Sequence, residues 1–455
     1  MSTVILVDRL ALHRVRAIRA LNERGIRLLH FADAIVIYVT LIAITALTYL
    51  IPGLNAWTDL PRYVWSYVII ALLQLAVFYF GGLYDRERRL GSRAGLPKLV
   101  ALVWLGSLLT GLISWMLSEF LVPRSLLVVY ALVAPIGLAA NRWASRWLRL
   151  RTEGPPRILL VGNEHEEELA RRHLAEEAGK VEVAGTARSI VGVERRVDEV
   201  SATDVLLLDG RFLGDLYVGP LGRLENAGVS TLQVVSPRDS LLGLRSVGEV
   251  GGIPFVTLST HVLPPSQARL KRYLDLVVLL VSLPINLPLV LFTTVYTAIV
   301  AGRPLLFVQE RVGRDGRLFP MLKFRTMRPD AELESGPVQA KRDDPRILPG
   351  MHWIRQTRLD ELPQLWNVAT GQMSIVGPRP ERREEMLEYS RQIPGYGRRH
   401  QVPPGITGLA QVFGRYYTDP EYKLGHDLHY LANWSPILDL QIMVRTAWVI
   451  VSRRG

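Results

Sequence analysis

The sequence predicts a membrane protein in three parts: a four-helix transmembrane bundle, a Rossmann-like α/β domain, and a mixed α/β domain with a re-entrant membrane helix hairpin and interfacial amphipathic helices. Three observations carry that expectation. Four apolar runs of about 20 residues fill the first third of the chain, the length a spanning helix needs. Short apolar strands alternate with polar helical stretches in the middle, and a later apolar run is broken by two prolines. At 455 residues the chain exceeds one ordinary core, and 49% of it is apolar. The formal charge of +12 sits largely in Arg residues beside apolar runs, which points to anionic lipid headgroups and topology signals and not to nucleic acid. The absence of cysteine excludes disulfides, a thiol nucleophile and cysteine metal sites.

The bundle is expected over 1–151, with runs at about 31–51, 63–83, 99–118 and 124–141. Its flanks orient it. Arg14, Arg16, Arg19, Arg24 and Arg27 precede the first run over a polar stretch that does not read as a cleavable signal peptide. Arg86, Arg88, Arg89, Arg93 and Lys98 fill the second connection, and Arg142, Arg146, Arg149 and Arg151 follow the fourth run. The other two connections hold only Arg62 and Arg124, so the positive-inside rule puts both ends of the bundle in the cytoplasm.

After TEGPP, the α/β domain (152–265) reads as RILLVG at 157–162, a helix from about Glu164 to Lys180, and strands VEVAG, DVLLLDG, VSTLQVV and IPFVTL. A strand ending in Gly162 before a helix could begin a dinucleotide site, making the chain a membrane-tethered NAD-dependent nucleotide-sugar dehydratase or epimerase. GNEHEE offers no second or third glycine and three carboxylates where a pyrophosphate would sit, and no Tyr-x-x-x-Lys pair occurs between 155 and 265. The domain is therefore expected to be a degenerate Rossmann-like unit with a structural, oligomerising or regulatory duty. A third reading is a non-catalytic assembly adaptor, which would have no need for a carboxylate pair among Lys and Arg.

The third part (266–455) opens with RLKRYLDLVVLLVSLPINLPLVLFTTVYTAIVAGRP. Basic residues flank both sides, and Pro284 and Pro288 each remove a backbone donor, so a re-entrant helix over 273–301 is expected. Ser282 and Asn286 could satisfy the freed backbone groups. Asp275 is expensive in lipid and is expected at headgroup level or paired with a basic neighbour. The last segment, 435–454, has apolar residues at helical spacing and would lie in the interface, with Tyr430 and Trp434 packing the domain onto it.

Over about 269–450 the ordered blocks KRYLD, ERVGRDGRLF, KFRTM, TRLDELPQLWNV, SIVGPRPE, PGITGLAQV and DLHYLANWSPILDL resemble the bacterial sugar transferase family of monotopic phosphoglycosyl transferases. The preceding bundle and α/β domain resemble its large membrane-bundle members. The resemblance implies transfer of a sugar-1-phosphate, commonly a hexose-1-phosphate, from a UDP-sugar to polyprenyl (undecaprenyl) phosphate. UMP would be released through a phosphosugar-aspartate intermediate, as the first membrane step of surface polysaccharide or glycoconjugate synthesis. A full crossing by the re-entrant segment would put this chemistry outside the cell, away from nucleotide-activated substrates. The expected location is the bacterial inner membrane, with the α/β and C-terminal domains on the cytoplasmic side, and the extra domain suggests a homodimer.

By the same resemblance Asp360 is the nucleophile and Glu361 helps hold Mg²⁺. A carboxylate attacks an anionic diphosphate only when cations screen the repulsion. Adjacent residues point about 100° apart on a helix, so the pair can share a site only at a helix end, with Leu359, Leu362, Leu365 and Trp366 burying the other side. Lys323, Arg325 and Thr326 of KFRTM, with Arg358, would bind the diphosphate, where guanidinium geometry matters. Pro378 and Pro380 would hold Arg379 outward against the nucleotide, with Glu381 serving the metal or orienting Arg379. Lys271 and Arg272 would meet the carrier phosphate or headgroups. Arg415, His426 and Asp427 are weaker candidates.

Overall fold

A computed structural model of the chain describes residues 28–50, 60–85, 90, 95–117, 122–175, 181–235, 248–250, 253–258, 263–328, 331, 344–393, 395–413 and 419–451. It divides into two compact units, Met1–Thr260 and His261–Gly455. The Arg-rich stretch before residue 28, most of the second connection and Arg415 lie outside the described residues.

The first unit begins with α1 (Leu28–Leu50), α2 (Leu60–Phe80), α3 (Leu96–Met116) and α4 (Arg124–Glu153), all long and apolar enough to cross a membrane. α4 outruns the expected end at 141 because no breaker stands before Gly154, whose φ of +74° suits glycine. Ile35, Leu72, Leu108 and Ile136 point outward, while Ile37, Leu41, Tyr67, Phe78, Val103, Tyr130 and Leu138 form the interior. Buried polar groups pair across helices, as they must where no water reaches. Asp33 accepts from Arg142 (2.9 Å), Asn141 (2.7 Å) and the Tyr84 hydroxyl (2.9 Å).

The α/β part follows as β1 (Arg157–Val161), α5 (Glu164–Ala175), β2 (Glu182–Ala187), α6 (Val193–Val200), β3 (Asp204–Leu207), α7 (Leu213–Val218), α8 (Pro220–Ala227), β4 (Ser230–Val234), β5 (Gly248–Val250) and β6 (Ile253–Leu258). The sheet order is β2-β1-β3-β4-β6-β5. The first four strands are parallel, β6 runs antiparallel to β4, and β5 antiparallel to β6. Every expected strand is present, and the uninterrupted apolar runs RILLV and DVLL form the central pair, as strands covered on both faces do. β5 and α6 were not foreseen, being too short for their patterns to register. At the start of α5, Asn163 Oδ1 accepts from the Glu166 amide (2.9 Å) and Glu166 Oε2 from the Asn163 amide (3.1 Å). This reciprocal cap occupies the amides a pyrophosphate would need.

The second unit contains α9 (Pro265–Val300), the hairpin β7 (Leu306–Val312) and β8 (Leu318–Phe324), α10 (His352–Gln356), α11 (Gln364–Ala369), β9 (Ser374–Val376), α12 (Arg383–Gln392), β10 (Gly405–Thr407), α13 (Leu409–Phe413), α14 (Pro420–Ala432) and α15 (Pro436–Val451). Short 3-10 turns lie at Leu359–Glu361 and Tyr396–Gln401.

α9 runs as one helical element through Pro284 and Pro288, and only 6% of its apolar stretch is buried. At the proline region Ser282 Oγ donates to Leu279 O (3.1 Å) and Asn286 Nδ2 to Ser282 Oγ (2.9 Å). Both ends of α9 are fastened to the rest of the unit. Near its start Arg272 donates to the carbonyls of Val368 and Ala369, and Asp275 accepts from the Ile375 amide (3.1 Å). Near its end the Tyr296 hydroxyl donates to Gly350 O and accepts from Trp353 Nε1, each at 2.9 Å.

Lys271 is 3% exposed and pairs with Asp439 at 2.9 Å. Lys271 and Arg272 are thus placed differently from the expected headgroup contact, both engaged by the protein's own acceptors. Tyr430 and Trp434 also depart from expectation. They are buried and donate to Asp439 (2.8 and 3.0 Å), because a buried carboxylate gathers every donor within reach. The outward apolar stripe instead belongs to α15, where Ile437, Leu440, Val444 and Trp448 are exposed.

Candidate active site

The dyad is built by a strained turn. Arg358 has φ +60°, a left-handed conformation that costs a non-glycine residue about 1–3 kcal/mol and tends to mark functional sites. It ends α10's approach and begins the 3-10 turn holding Asp360 and Glu361. The adjacent carboxylates therefore share a site at a helix end, as the sequence required. The packing beneath differs from expectation: the inward stripe is Gln364, Asn367 and Val368, while Trp366 is 66% exposed. Positions 364, 367 and 368 share one face at 3.6 residues per turn, and 366 lies off it.

Asn367 joins this helix to the hairpin. Its Oδ1 accepts from the Leu322 amide (3.1 Å) and its Nδ2 donates to Pro320 O (2.8 Å), satisfying two groups on β8. Lys323, the next residue on that strand, then reaches Glu361 Oε1 at 2.9 Å. Arg358 and Arg379 approach the same oxygen at 3.7 and 3.9 Å.

The two carboxyls are pushed apart in acidity. Burial first, then the neighbouring Glu361 charge, holds Asp360 above the usual carboxylate range, against the pull of Lys323, Arg355 and Arg358. Burial also disfavours Glu361's charge, but Lys323, Arg379 and Arg358 outweigh it and hold its carboxyl low. Asp360 Oδ1 is buried with no hydrogen-bond partner.

Four successive carbonyls of the Pro-Arg-Pro element are each held by a different residue. Pro378 O accepts from the Gly405 amide (2.8 Å), Arg379 O from Arg399 (3.2 Å), Pro380 O from Arg311 (3.2 Å) and Glu381 O from the Val312 amide (2.9 Å). The glycines allow the approach: a Cβ on Gly405 would lie 2.1 Å from the Gly377 nitrogen. Arg379 is thereby presented outward with its side chain 51% exposed.

Below this element Arg399, 3% exposed, pairs with Glu381 and with Asp427 (2.7 Å) and donates to the Tyr396 hydroxyl (2.8 Å). Burial opposes the Arg399 charge, but Asp427 and Glu381 outweigh it and raise its affinity for the proton. The Glu381 carboxylate thus faces Arg399 and Tyr396, and not the dyad. Next to this network, burial and then Arg399 push His400 down to about 4, so it is neutral in the folded chain. The unfolded chain, with an ordinary histidine, binds the proton more readily between about pH 6.5 and pH 4, so stability falls as pH drops through that window. At pH 5 the loss is about 2 kcal/mol. Melting in detergent at pH 5 against pH 7 is expected to show this destabilisation reduced in His400→Gln.

The structure therefore brings together Asp360, Glu361, Lys323, Arg358 and Arg379. It places two expected diphosphate ligands elsewhere: Arg325, 7% exposed, donates to the Ala301 and Arg303 carbonyls at the end of α9, and Thr326 accepts from Arg355 (3.2 Å). The reason is the exposed backbone at the α9 C-terminus, which needs donors that the sequence locates only as a distant break. Sequence reasoning missed Arg311, Arg355, Gln364 and Arg399. Only Gln364 carried a local signal, its helical spacing from the dyad.

Apolar helices of spanning length beside a buried carboxylate pair ringed by cations define a membrane-type protein whose second unit handles anionic substrates. The bacterial sugar transferase family model matches residues 266–453, and the chain belongs to that family. It is 39% identical over 194 residues to a UDP-N-acetylgalactosamine-undecaprenyl-phosphate N-acetylgalactosaminephosphotransferase of Aeromonas hydrophila, covering 42% of this chain and 46% of that one. It is 38% identical over 205 residues to a UDP-glucose:undecaprenyl-phosphate glucose-1-phosphate transferase of Klebsiella pneumoniae, covering 44% of each. It is 38% identical over 185 residues to the exopolysaccharide production protein PSS of Rhizobium leguminosarum bv. phaseoli, covering 39% of this chain and 92% of the relative. The matched stretch thus spans about half of the first two relatives and nearly all of the third.

Proposed function

We propose that the chain transfers a sugar-1-phosphate, a hexose-1-phosphate in the leading case, from a UDP-sugar to undecaprenyl phosphate, releasing UMP. The observation that carries this reading is the buried Asp360 with its unpartnered Oδ1, beside a Glu361 clasped by Lys323, Arg358 and Arg379. Asp360 forms a bond to the sugar-bearing phosphorus as the bond to the bridging oxygen breaks, and UMP leaves with that oxygen. The carrier phosphate then displaces Asp360, regenerating the carboxylate and giving the lipid-linked diphosphate sugar. The names of the relatives support both substrates.

The residues fit Mg²⁺. No group of three or more acidic or histidine side chains gathers among the described residues, yet Mg²⁺ usually takes only one or two carboxylates and completes its shell with water and substrate phosphate. Asp360 and Glu361 would hold it, and bound there it would screen the diphosphate charge. Lys323 and Arg379 bind the diphosphate, and Lys323 keeps Glu361 ionised. Lys323→Met is expected to lower kcat/KM by about 10²- to 10³-fold, the scale of a lost charge-stabilising donor.

The membrane arrangement belongs to the same proposal. α1–α4 span the inner membrane with both termini cytoplasmic, and α9, bent at Ser282, Pro284 and Pro288, dips into the inner leaflet and returns. Its fastening to one unit at both ends supports the return. The α/β domain has a structural or oligomerising duty, in a homodimer. UMP release by the purified chain with undecaprenyl phosphate, Mg²⁺ and a panel of UDP-sugars tests the reaction. Release that needs lipid and metal is expected, and none from any donor would end the proposal.

A further inference from the structure

The cleft beside the dyad is lined by Arg311, Lys323, Glu361, Gln364, Arg379 and Gly405. Gln364 stands out in it. It is 3% exposed, yet among the described residues its carboxamide has no hydrogen-bond partner, whereas the buried Asn367 one residue-triplet further on is fully engaged. An unpaired buried amide costs about 1–3 kcal/mol unless a ligand pairs with it.

The rest of the lining decides which ligand group that is. Phosphate oxygens only accept hydrogen bonds, and Lys323, Arg379 and Arg311 already supply donors for them. A carboxamide both donates and accepts, which matches a hydroxyl. Gln364 follows Asp360 by four residues and Glu361 by three, a spacing that puts side chains about 5–6 Å apart. The first hydroxyls of a sugar on the attacked phosphorus fall within that reach, while the nucleobase is separated by the second phosphate and the ribose.

We infer that Gln364 is the residue that reads a ring hydroxyl of the transferred sugar and so sets which donor is used. This rests on the proposed reaction. Buried groups made to pair with a substrate hydroxyl discriminate strongly, because the wrong sugar leaves them unpaired.

The test compares the full-length enzyme with Gln364→Leu, of similar size without hydrogen-bonding capacity, in nanodiscs. UMP release is measured from UDP-glucose, UDP-galactose, UDP-N-acetylglucosamine and UDP-N-acetylgalactosamine, and UDP inhibition constants in parallel. The ratio of kcat/KM between the best donor and its epimer is expected to fall at least about tenfold in the variant, with UDP inhibition unchanged. An equal loss on all donors, or weakened UDP inhibition, would overturn the inference while leaving the reaction standing. Should Gln364→Leu show no turnover, binding in an Asp360→Asn background decides: the variant must lose affinity for the preferred UDP-sugar and keep it for UDP, and equal loss overturns it. Failure of the unaltered enzyme to release UMP from any donor sinks the reaction and this inference with it.

Discussion

Asp360→Asn abolishes UMP release, by at least about 10³-fold, while the variant melts no lower than the parent. The first half follows because a neutral carboxamide cannot displace UMP. The second follows from linkage. Burial raises the Asp360 carboxyl above its unfolded value, so its stabilising contribution is full below the unfolded value and is lost as pH rises through the folded one. At neutral pH the buried charge is a burden, and Asn removes it. Activity in the unaltered enzyme therefore falls on acidification at a pH above the ordinary carboxylate range, measured as kcat/KM for the donor in the free enzyme. A variant that still turned over would remove Asp360 as the nucleophile, and one that unfolded would contradict the acidity argument.

Arg399→Met lowers stability by about 3–5 kcal/mol, because it leaves the carboxylates of Glu381 and Asp427 buried without their counter-charge. It also frees the Arg379 carbonyl, so the side chain that faces Glu361 loses its rigid mount. Loss of thermal stability in detergent should be accompanied, in the surviving folded fraction, by a higher KM for the UDP-sugar with kcat less affected. Arg399→Lys retains the charge but not the fork of donors, and is expected to lie between the two. A Met variant that melts within about 1 kcal/mol of the parent would mean that these carboxylates are hydrated or protonated in the fold.

Much of this protein was legible because its signals are local. The four spanning-length helices needed only runs of apolar residues, and the strands of the α/β domain only short apolar stretches between turn residues. The dyad, Lys323, Arg358 and Arg379 were legible through the ordered motifs, and they do converge on one carboxylate oxygen. Within KFRTM the reading succeeded for Lys323 and not for Arg325 or Thr326. All three are equally polar in sequence, but only contacts from Asn367 and from the end of α9 decide which faces the cleft.

The sequence by itself determined the membrane character, the family and the chemical type of the central site, since each depends on residue identity and short spacing. Only the tertiary structure decided that Arg399 clamps the Pro-Arg-Pro carbonyls, that Lys271 answers Asp439 across 168 positions, and that Gln364 stands buried and unpaired beside the dyad. Those are pairings between distant segments. Which buried polar groups find partners is settled by how the whole chain closes, because desolvation penalises every group left without one.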